Sequence, residues 1–137
     1  MADVISAVRT YVLAQSSVNT TISQRMYFDV LMQGATLPAC VISVASERHD
    51  HLIQGRAGLV HTRINIECHS LNRLTTNALA KAIIECGIDL VQGVTNSVDI
   101  RGVQIEDGQR QYIDYDSAAG DDHTYVTEFD LMVHHKD

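Results

Sequence analysis

The sequence predicts an α+β fold in which an antiparallel β-sheet carries two helices on one face. In residues 60–69 apolar and polar side chains alternate, which is the period of a strand with one buried face. After Ser70 the period changes, and Leu79, Ile83 and Cys86 recur at the spacing of an amphipathic helix. Because each element has one apolar face, the simplest way to bury both is to lay the helix across its own sheet.

The remaining elements follow from the same patterns, and their predicted order is α-β-β-β-α-β-β-β in a sheet of about five to six strands. A mixed sheet, with some parallel pairing, is left open. In chain order we predict a helix over Val4–Ala14, strands over Arg25–Val30, Pro38–Arg48 and Gly58–Ser70, a helix from Ser70 to Leu90, and strands over Val98–Glu106, Gln109–Asp116 and His123–His135.

Capping residues and polar runs set the predicted helix ends. Asp3 is predicted to cap the first helix, and Ser70 or Asn72 the second, because their side-chain oxygens can accept a backbone N–H of the first turn. The polar run Ser16–Thr21 is predicted to end the first helix.

Glycines and charged residues set the predicted turns of the sheet. Glu47–Gly58 is predicted to form the long tip of a hairpin, because it contains two glycines and several charges. Gly102 falls where the inward-facing set slips by one residue, which indicates a β-bulge. Asp107-Gly108 is a two-residue hairpin signal, and Ser117–Asp122 is predicted to form a turn.

Length and composition favour a single domain spanning residues 1–137. Hydrophobic residues make up 45% of the chain, as is usual for a folded globular protein. No apolar run approaches the roughly 20 residues needed to cross a bilayer, so no membrane association is expected. Asp3 stands where a secretory signal carries basic charge, so no targeting segment is expected. Cys40, Cys68 and Cys86 lack metal-binding spacing and are expected to be reduced, buried thiols.

The net charge of −7 is concentrated in the last third of the sequence. Residues 1–97 carry seven acidic and seven basic residues, whereas residues 98–137 carry ten acidic and three basic residues. The sequence therefore lacks the basic footprint of a protein that reads DNA or RNA sequence. An acidic surface can still act near DNA, because it keeps the duplex from binding.

No catalytic, cofactor-binding or metal site is predicted. His49-Asp50-His51 has the spacing that aims two imidazoles one way on a strand, but a metal site needs three or four ligands and the sequence places no third. His134 and His135 are predicted to point in opposite directions. The sequence contains no nucleophile elbow, zinc-protease motif, phosphate loop or dinucleotide fingerprint. We therefore expect neither an enzyme nor a bound cofactor.

Taken together, these elements resemble the tail completion proteins, also called tail terminator or tail-to-head joining proteins, of long-tailed bacteriophages. The resemblance covers nearly the whole chain. It is carried by the N-terminal helix, by LPACVISVASERHDHL, by Gly55 and Gly58 before LVHTRINIECHS, by the helix TTNALAKAII, and by the acidic hairpin leading to YVTEFDLMVHH. Cys68-His69 departs from the family pattern, in which many members carry an aromatic residue near this point.

The resemblance implies a homo-oligomeric ring, usually a hexamer, that caps the tail tube, stops its polymerisation and joins the tail to the head connector. Its partners are then further copies of itself, the tail tube protein, and a head-completion, stopper or connector protein. Double-stranded DNA passes through the lumen without sequence-specific binding. The implied location is the tail or neck of the virion, after assembly in the cytoplasm of the bacterial host, and no catalysis is implied.

Two sets of residues are expected to serve such an assembly. A loop is expected to contact a neighbouring subunit or the tube, and it contains Arg48, His49, Asp50, His51 and Arg56. An acidic surface is expected to line the channel so that DNA does not bind there, and it contains Asp107, Asp116, Asp121 and Asp122.

The sequence leaves two alternatives open. One is another ring protein of the head–tail neck, such as a connector or stopper, because such proteins are also small α+β subunits with long loops. The other is a small soluble enzyme, or a ligand- or metal-binding domain, that uses the loop from His49 to His51. Tight, stoichiometric binding of a metal ion would favour the latter.

Overall fold

A computed structural model describes residues 3–31, 34–53, 55–88, 91–95, 97–106, 109–115 and 123–136, without the side chains of residues 52, 56, 57 and 95. The four acidic residues predicted to line a channel, Asp107, Asp116, Asp121 and Asp122, lie outside the described residues, as does the predicted turn Ser117–Asp122. Within the described residues the elements are α1 (Val4–Leu13), α2 (Ser16–Ile22), β1 (Met26–Phe28), β2 (Ala39–Leu52), β3 (Gly55–Ser70), α3 (Arg73–Glu85), β4 (Gly93–Thr95), β5 (Val98–Ile105), β6 (Arg110–Asp114) and β7 (Thr124–Lys136).

The chain begins with two helices where one was predicted. Asp3 caps α1 as expected, because its side chain accepts a hydrogen bond from the Ile5 backbone N–H. The prediction that Ser16–Thr21 only ends the first helix is wrong, since this run forms α2. Val18 and Ile22 lie four residues apart on α2 and are fully buried, so two apolar contacts outweigh the polar composition of the segment.

β2 and β3 form a longer hairpin than the sequence indicated. Residues Glu47–Gly58 were predicted to be its tip, but β2 continues to Leu52 and β3 already begins at Gly55. The charged residues in this segment stay in the ladder, because Arg48 pairs with His61 and His49 with Val60. The register shifts twice, between Val44 and Ser46, where β2 carries the extra residue, and between His49 and His51, where the extra residues lie on β3.

One sheet contains all seven strands, in the order β1-β2-β3-β7-β5-β4, with β6 paired to β7 beside this path. The predicted α+β class is confirmed, but the strand count is higher than the predicted five to six. β1 and β2 are parallel and the other pairs are antiparallel, so the sheet is mixed. β4 was missed because it has only three residues, in a stretch that reads as a polar break.

β5 and β6 lie one after the other along the same side of β7. β5 pairs with residues 131–135 of β7 and β6 with residues 124–128, both antiparallel. Asp107 and Gly108 lie outside the described residues, but β5 and β6 both pair with β7 and run in the same direction, so the hairpin predicted between these two strands is wrong. The bulge predicted at Gly102 is confirmed by a register shift between Ile100 and Gly102.

The core lies between the helices and one face of the sheet. Buried residues of all three helices join one cluster with the inward side chains of the sheet, including Ile64, Ile66, Phe129 and Leu131. α3 is capped by Asn72, whose side chain accepts a hydrogen bond from the Leu74 N–H at 2.8 Å. The helix ends at Glu85 rather than at Leu90, and Gly87 follows with a φ of 87°, as is common just past a helix end.

The cysteines lie in or next to this core. Cys40 and Cys68 are buried register partners on β2 and β3, with their sulfur atoms 3.8 Å apart, and Cys86 is partly buried at the end of α3. None of the three forms a disulfide, as expected. The contact with Cys40, together with burial, raises the pKa of the Cys68 thiol.

Candidate assembly surface

The first feature relevant to assembly is the open outer side of β2. β1 covers β2 only from Cys40 to Ile42, and in the described part of the chain no strand pairs with the outer side of residues 43–52. Most side chains here are exposed, including Val44 at 44%. An uncovered strand of this length offers backbone donors and acceptors to another chain.

The opposite side of the sheet has an open edge as well. β4 covers β5 only from Val98 to Ile100, and β6 has β7 as its one described neighbour. The outer sides of residues 101–105 and 110–114 are therefore uncovered by the strands that the structure describes. The subunit thus presents two different edges on opposite sides, as a head-to-tail contact between copies requires.

The residues predicted to form an interface loop lie on strands instead. Arg48, His49, Asp50 and His51 belong to β2, and Arg56 belongs to β3, where it pairs with His51. Their strand conformation corrects the prediction of a loop, and the interface role itself stays a prediction.

Within this group the side chains have different surroundings. Arg48 and His51 are exposed, whereas His49 Nε2 lies 3.0 Å from Glu47 Oε1. The register shift between His49 and His51 leaves its extra residues on β3, so it does not interrupt the alternation of side chains along β2.

The tip of the same hairpin exposes an apolar side chain. Ile53, between β2 and β3, has a relative exposure of 106%, the highest among the exposed large hydrophobic residues of the described chain. Single exposed apolar residues are common on protein surfaces. At the end of a projecting hairpin, however, such a side chain can reach a second protein without rearrangement of the subunit.

The face of the sheet opposite the helices carries a polar network centred on Asp130. The carboxylate accepts hydrogen bonds from Arg63 Nη1 at 2.9 Å, Asn65 Nδ2 at 2.9 Å and Arg110 Nη2 at 3.3 Å. Burial alone would raise the pKa of Asp130, but the hydrogen bonds from Asn65 and Arg63 and the charge of Arg110 lower it below the usual value. The network therefore joins β3, β7 and β6 through one ionised carboxylate.

A cavity of about 260 Å³ opens on this face, near the start of β2. Its walls include the apolar residues Leu31 and Val41 and the polar residues Glu67, His69 and Tyr112. His69 is buried, and neither ring nitrogen has a hydrogen-bond partner among the described residues. Its Nε2 lies 3.8 Å from Glu67 Oε2, and this contact is the main reason why the pKa of the Glu67 carboxyl is lowered. The hydrogen bond from the Tyr112 hydroxyl lowers the same pKa to a smaller extent.

A second polar row crosses four strands of the same face. Asp50 on β2 contacts His61 on β3 (Oδ1 to Nε2, 3.0 Å), and His134 on β7 contacts Gln104 on β5 (Nε2 to Oε1, 3.1 Å). His61 and His134 are register partners whose rings meet edge to face, with centroids 4.7 Å apart. Sequence reasoning missed this pair, because the pairing of strands 73 residues apart leaves no local signal.

No helix in the described part of the chain is long and apolar enough to cross a membrane. Within the same residues no three histidine, cysteine, aspartate or glutamate side chains converge on a common point where a metal ion would fit. The features that could serve assembly are therefore those described above: the two open edges of the sheet, the projecting hairpin and the polar outer face.

Comparison with solved structures finds a similar fold in a chain of the virion of a native gene transfer agent (GTA) particle. The match has a TM-score of 0.62 and covers 96% of this chain and 93% of that chain, at 13% sequence identity. At this identity the similarity establishes a shared fold. No family model and no curated protein matches the sequence.

Proposed function

We propose that this chain is a structural protein of a phage-type virion and acts as a tail terminator. In this proposal, copies of the chain form a ring that caps the tail tube and joins it to the head connector. The family resemblance implies that this ring is a hexamer. The shared fold with a chain of a GTA virion supports the virion part of the proposal. The order of sequence elements described above supports the terminator part.

The observation that best supports a ring is the pair of open edges on opposite sides of the sheet. A strand edge of this length must be covered to avoid uncontrolled association, and pairing with an identical neighbour covers it. Because the two edges differ, the contact is head-to-tail, and such contacts close into a ring when the rotation between copies permits. We propose that residues 43–52 of one copy pair with the β5–β6 side of the next.

The hairpin residues and the acidic residues keep distinct roles in this proposal. Arg48, His49, Asp50, His51 and Arg56 lie along the projecting part of the β2–β3 hairpin and contact a neighbouring copy or the tube. Asp107, Asp116, Asp121 and Asp122 line a lumen through which double-stranded DNA passes without binding. The activity is geometric, with one ring face matching the tube and the other the connector, and it involves no catalysis.

The test removes one outward backbone donor from β2. Cys40 N–H donates to Arg25 O and Ile42 O accepts from Asp29 N–H, so these two residues direct their backbone groups away from β3. Val44 is the next such residue, and proline there deletes an outward N–H without removing a bond to β3. We expect the wild-type protein and the control Val44→Thr to form rings, and Val44→Pro to be monomeric. Measuring the mass of each protein in solution distinguishes these states.

Far-UV circular dichroism shows whether Val44→Pro keeps the subunit fold, so that loss of the ring can be assigned to the edge. Imaging of isolated tails that lack heads then separates a terminator, which is present on them, from a connector or stopper, which is not. A wild-type protein that is a stable monomer with no affinity for tail tubes would overturn the proposal.

A further inference from the structure

Two histidines on the outer face of the sheet direct the same ring nitrogen at each other. His61 on β3 and His134 on β7 approach through their Nδ1 atoms, which lie within hydrogen-bond distance. Both side chains are partly exposed, that of His61 by 12%. This pair is separate from the His49–His51 segment considered from the sequence.

The other nitrogen of each ring is already occupied. His61 Nε2 contacts the Asp50 carboxylate, which when ionised can only accept, so the proton of a neutral His61 ring lies on Nε2. His134 Nε2 faces the amide oxygen of Gln104 and donates to it in the same way. With both Nε2 atoms protonated, each neutral ring has its lone pair on Nδ1. Two lone pairs that face each other require a positive charge between them.

We propose that His61 and His134 bind a divalent transition-metal ion, such as Zn²⁺, Ni²⁺ or Cu²⁺, through their Nδ1 atoms. Neutral imidazole nitrogen is a preferred ligand of these ions. An oxygen acceptor on the far nitrogen is also the usual support of a metal-binding histidine, because it fixes the tautomer and the ring orientation. Asp50 and Gln104 supply that support for His61 and His134 respectively.

The expected site is open and of moderate affinity. No third side chain of a ligating type converges there in the described part of the chain, so water completes the coordination. A Zn–N bond is about 2.0–2.1 Å long, so two nitrogens bound to one ion lie farther apart than two nitrogens in direct contact. The two rings must therefore separate slightly to admit an ion. Affinity is expected to follow the general order for divalent metals, with Cu²⁺ bound more tightly than Ni²⁺ or Zn²⁺.

A proton is the competing occupant of the same position. The charged and titratable groups around the pair are Arg48 and Asp50 from β2 and Glu106 after β5. Burial, followed by the charges of His61 and Arg48, lowers the pKa of His134.

The test is a calorimetric titration of the EDTA-treated full chain with NiCl₂ at neutral pH, repeated with ZnCl₂. We expect one ion per chain with micromolar affinity, and loss of this binding in His61→Gln and in His134→Gln. His51→Gln is the matched control, because it removes an exposed histidine from β2 and leaves the pair intact. Circular dichroism establishes whether each variant is folded.

Asp50→Asn keeps both ligands and weakens only the support of His61, so it remains informative if a ligand variant does not fold. We expect it to reduce affinity by about 10- to 100-fold, the usual effect of losing such a partner. Absence of binding by the wild type would show that the pair holds a proton instead and would overturn the inference. Binding that persists in both His61→Gln and His134→Gln would overturn it too, and loss in His51→Gln would assign the ion to the His49–His51 segment.

Discussion

The Asp130 carboxylate accepts hydrogen bonds from two neighbouring strands while it sits on a third. Its side chain is only 11% exposed, so its bonds to Arg63 and Asn65 are partly shielded from water. Hydrogen bonds to charged groups in such surroundings are worth more than ion pairs on an open surface. Asp130 is therefore expected to contribute more to the stability of the outer face of the sheet than the exposed charges around it.

We predict that Asp130→Asn lowers the free energy of unfolding by about 1–3 kcal/mol at neutral pH, because it removes the charge that strengthens the hydrogen bonds from Arg63, Asn65 and Arg110. The folded-state pKa of Asp130 is lowered, so the charge stabilises the fold above the unfolded-state value of 3.8, and this contribution is lost as the pH falls below it. The difference between wild type and variant should therefore shrink below about pH 4 in urea denaturation.

Glu128→Gln is the control for this prediction. Glu128 is on the same strand and contacts Arg110, whose side chain is 50% exposed, so its loss should cost under about 1 kcal/mol. Equal effects of the two substitutions, or a difference that does not change with pH, would contradict the role assigned to Asp130.

At the scale of elements, strong periodic patterns predicted the fold and short or polar segments did not. The alternation in β3 and β7 and the helical spacing in α3 were read correctly because each element buries one continuous face. α2 and the far end of β2 were missed because their stability comes from partners elsewhere: Ile22 fits into the core, and Arg48 pairs with His61. Asp107-Gly108 is a local hairpin signal that was overridden, since β5 and β6 both pair with β7.

The candidate surface was predictable only in part for the same reason. The sequence placed His61 and His134 on polar strand faces, but their contact depends on the register between β3 and β7. The open sides of β2 and β5 likewise follow from strand order, which no local pattern contains.

For α3 we predict that Asn72→Ala lowers the free energy of unfolding by about 1 kcal/mol, because the Leu74 N–H loses its acceptor. Asn72→Asp should retain wild-type stability, since a carboxylate accepts the same bond and is favourable at a helix N-terminus. Lys81→Ala, on the exposed side of α3, should change stability by less than about 0.5 kcal/mol. Thermal and urea denaturation of the three variants measures this, and no loss in Asn72→Ala would contradict the capping role.

At the scale of the whole molecule, folding and the proposed assembly depend on different residues. The buried cluster holds the subunit together, whereas the outer side of β2 and the hairpin tip contribute little to it. Substitutions at the tip can therefore test the proposed contacts with other proteins, because they leave the core unchanged.

We predict that Ile53→Asp leaves the stability of the subunit within about 0.5 kcal/mol of wild type, since the side chain is fully exposed. If the hairpin tip contacts the tube or a neighbouring copy, tube capping should fall by about tenfold, which corresponds to roughly 1.4 kcal/mol of lost contact energy. A sedimentation assay with purified tail tubes measures the binding.

Leu74→Asp is the matched control for Ile53→Asp. Leu74 is 77% exposed at the start of α3, on the helix side of the sheet. Unchanged capping by Ile53→Asp, or an equal loss in Leu74→Asp, would show that the tip does not contact the partner.

The position of β7 between β3 on one side and β5 and β6 on the other also matters while the protein is being made. Until residues 124–136 leave the ribosome, the nascent chain has no strand to join β3 to β5 and β6, and the edges of these strands that β7 would cover remain unpaired. We expect a translation product cut short before Thr124 to be cleared by proteases. Synthesis of this segment is thus expected to decide whether a chain folds or is degraded.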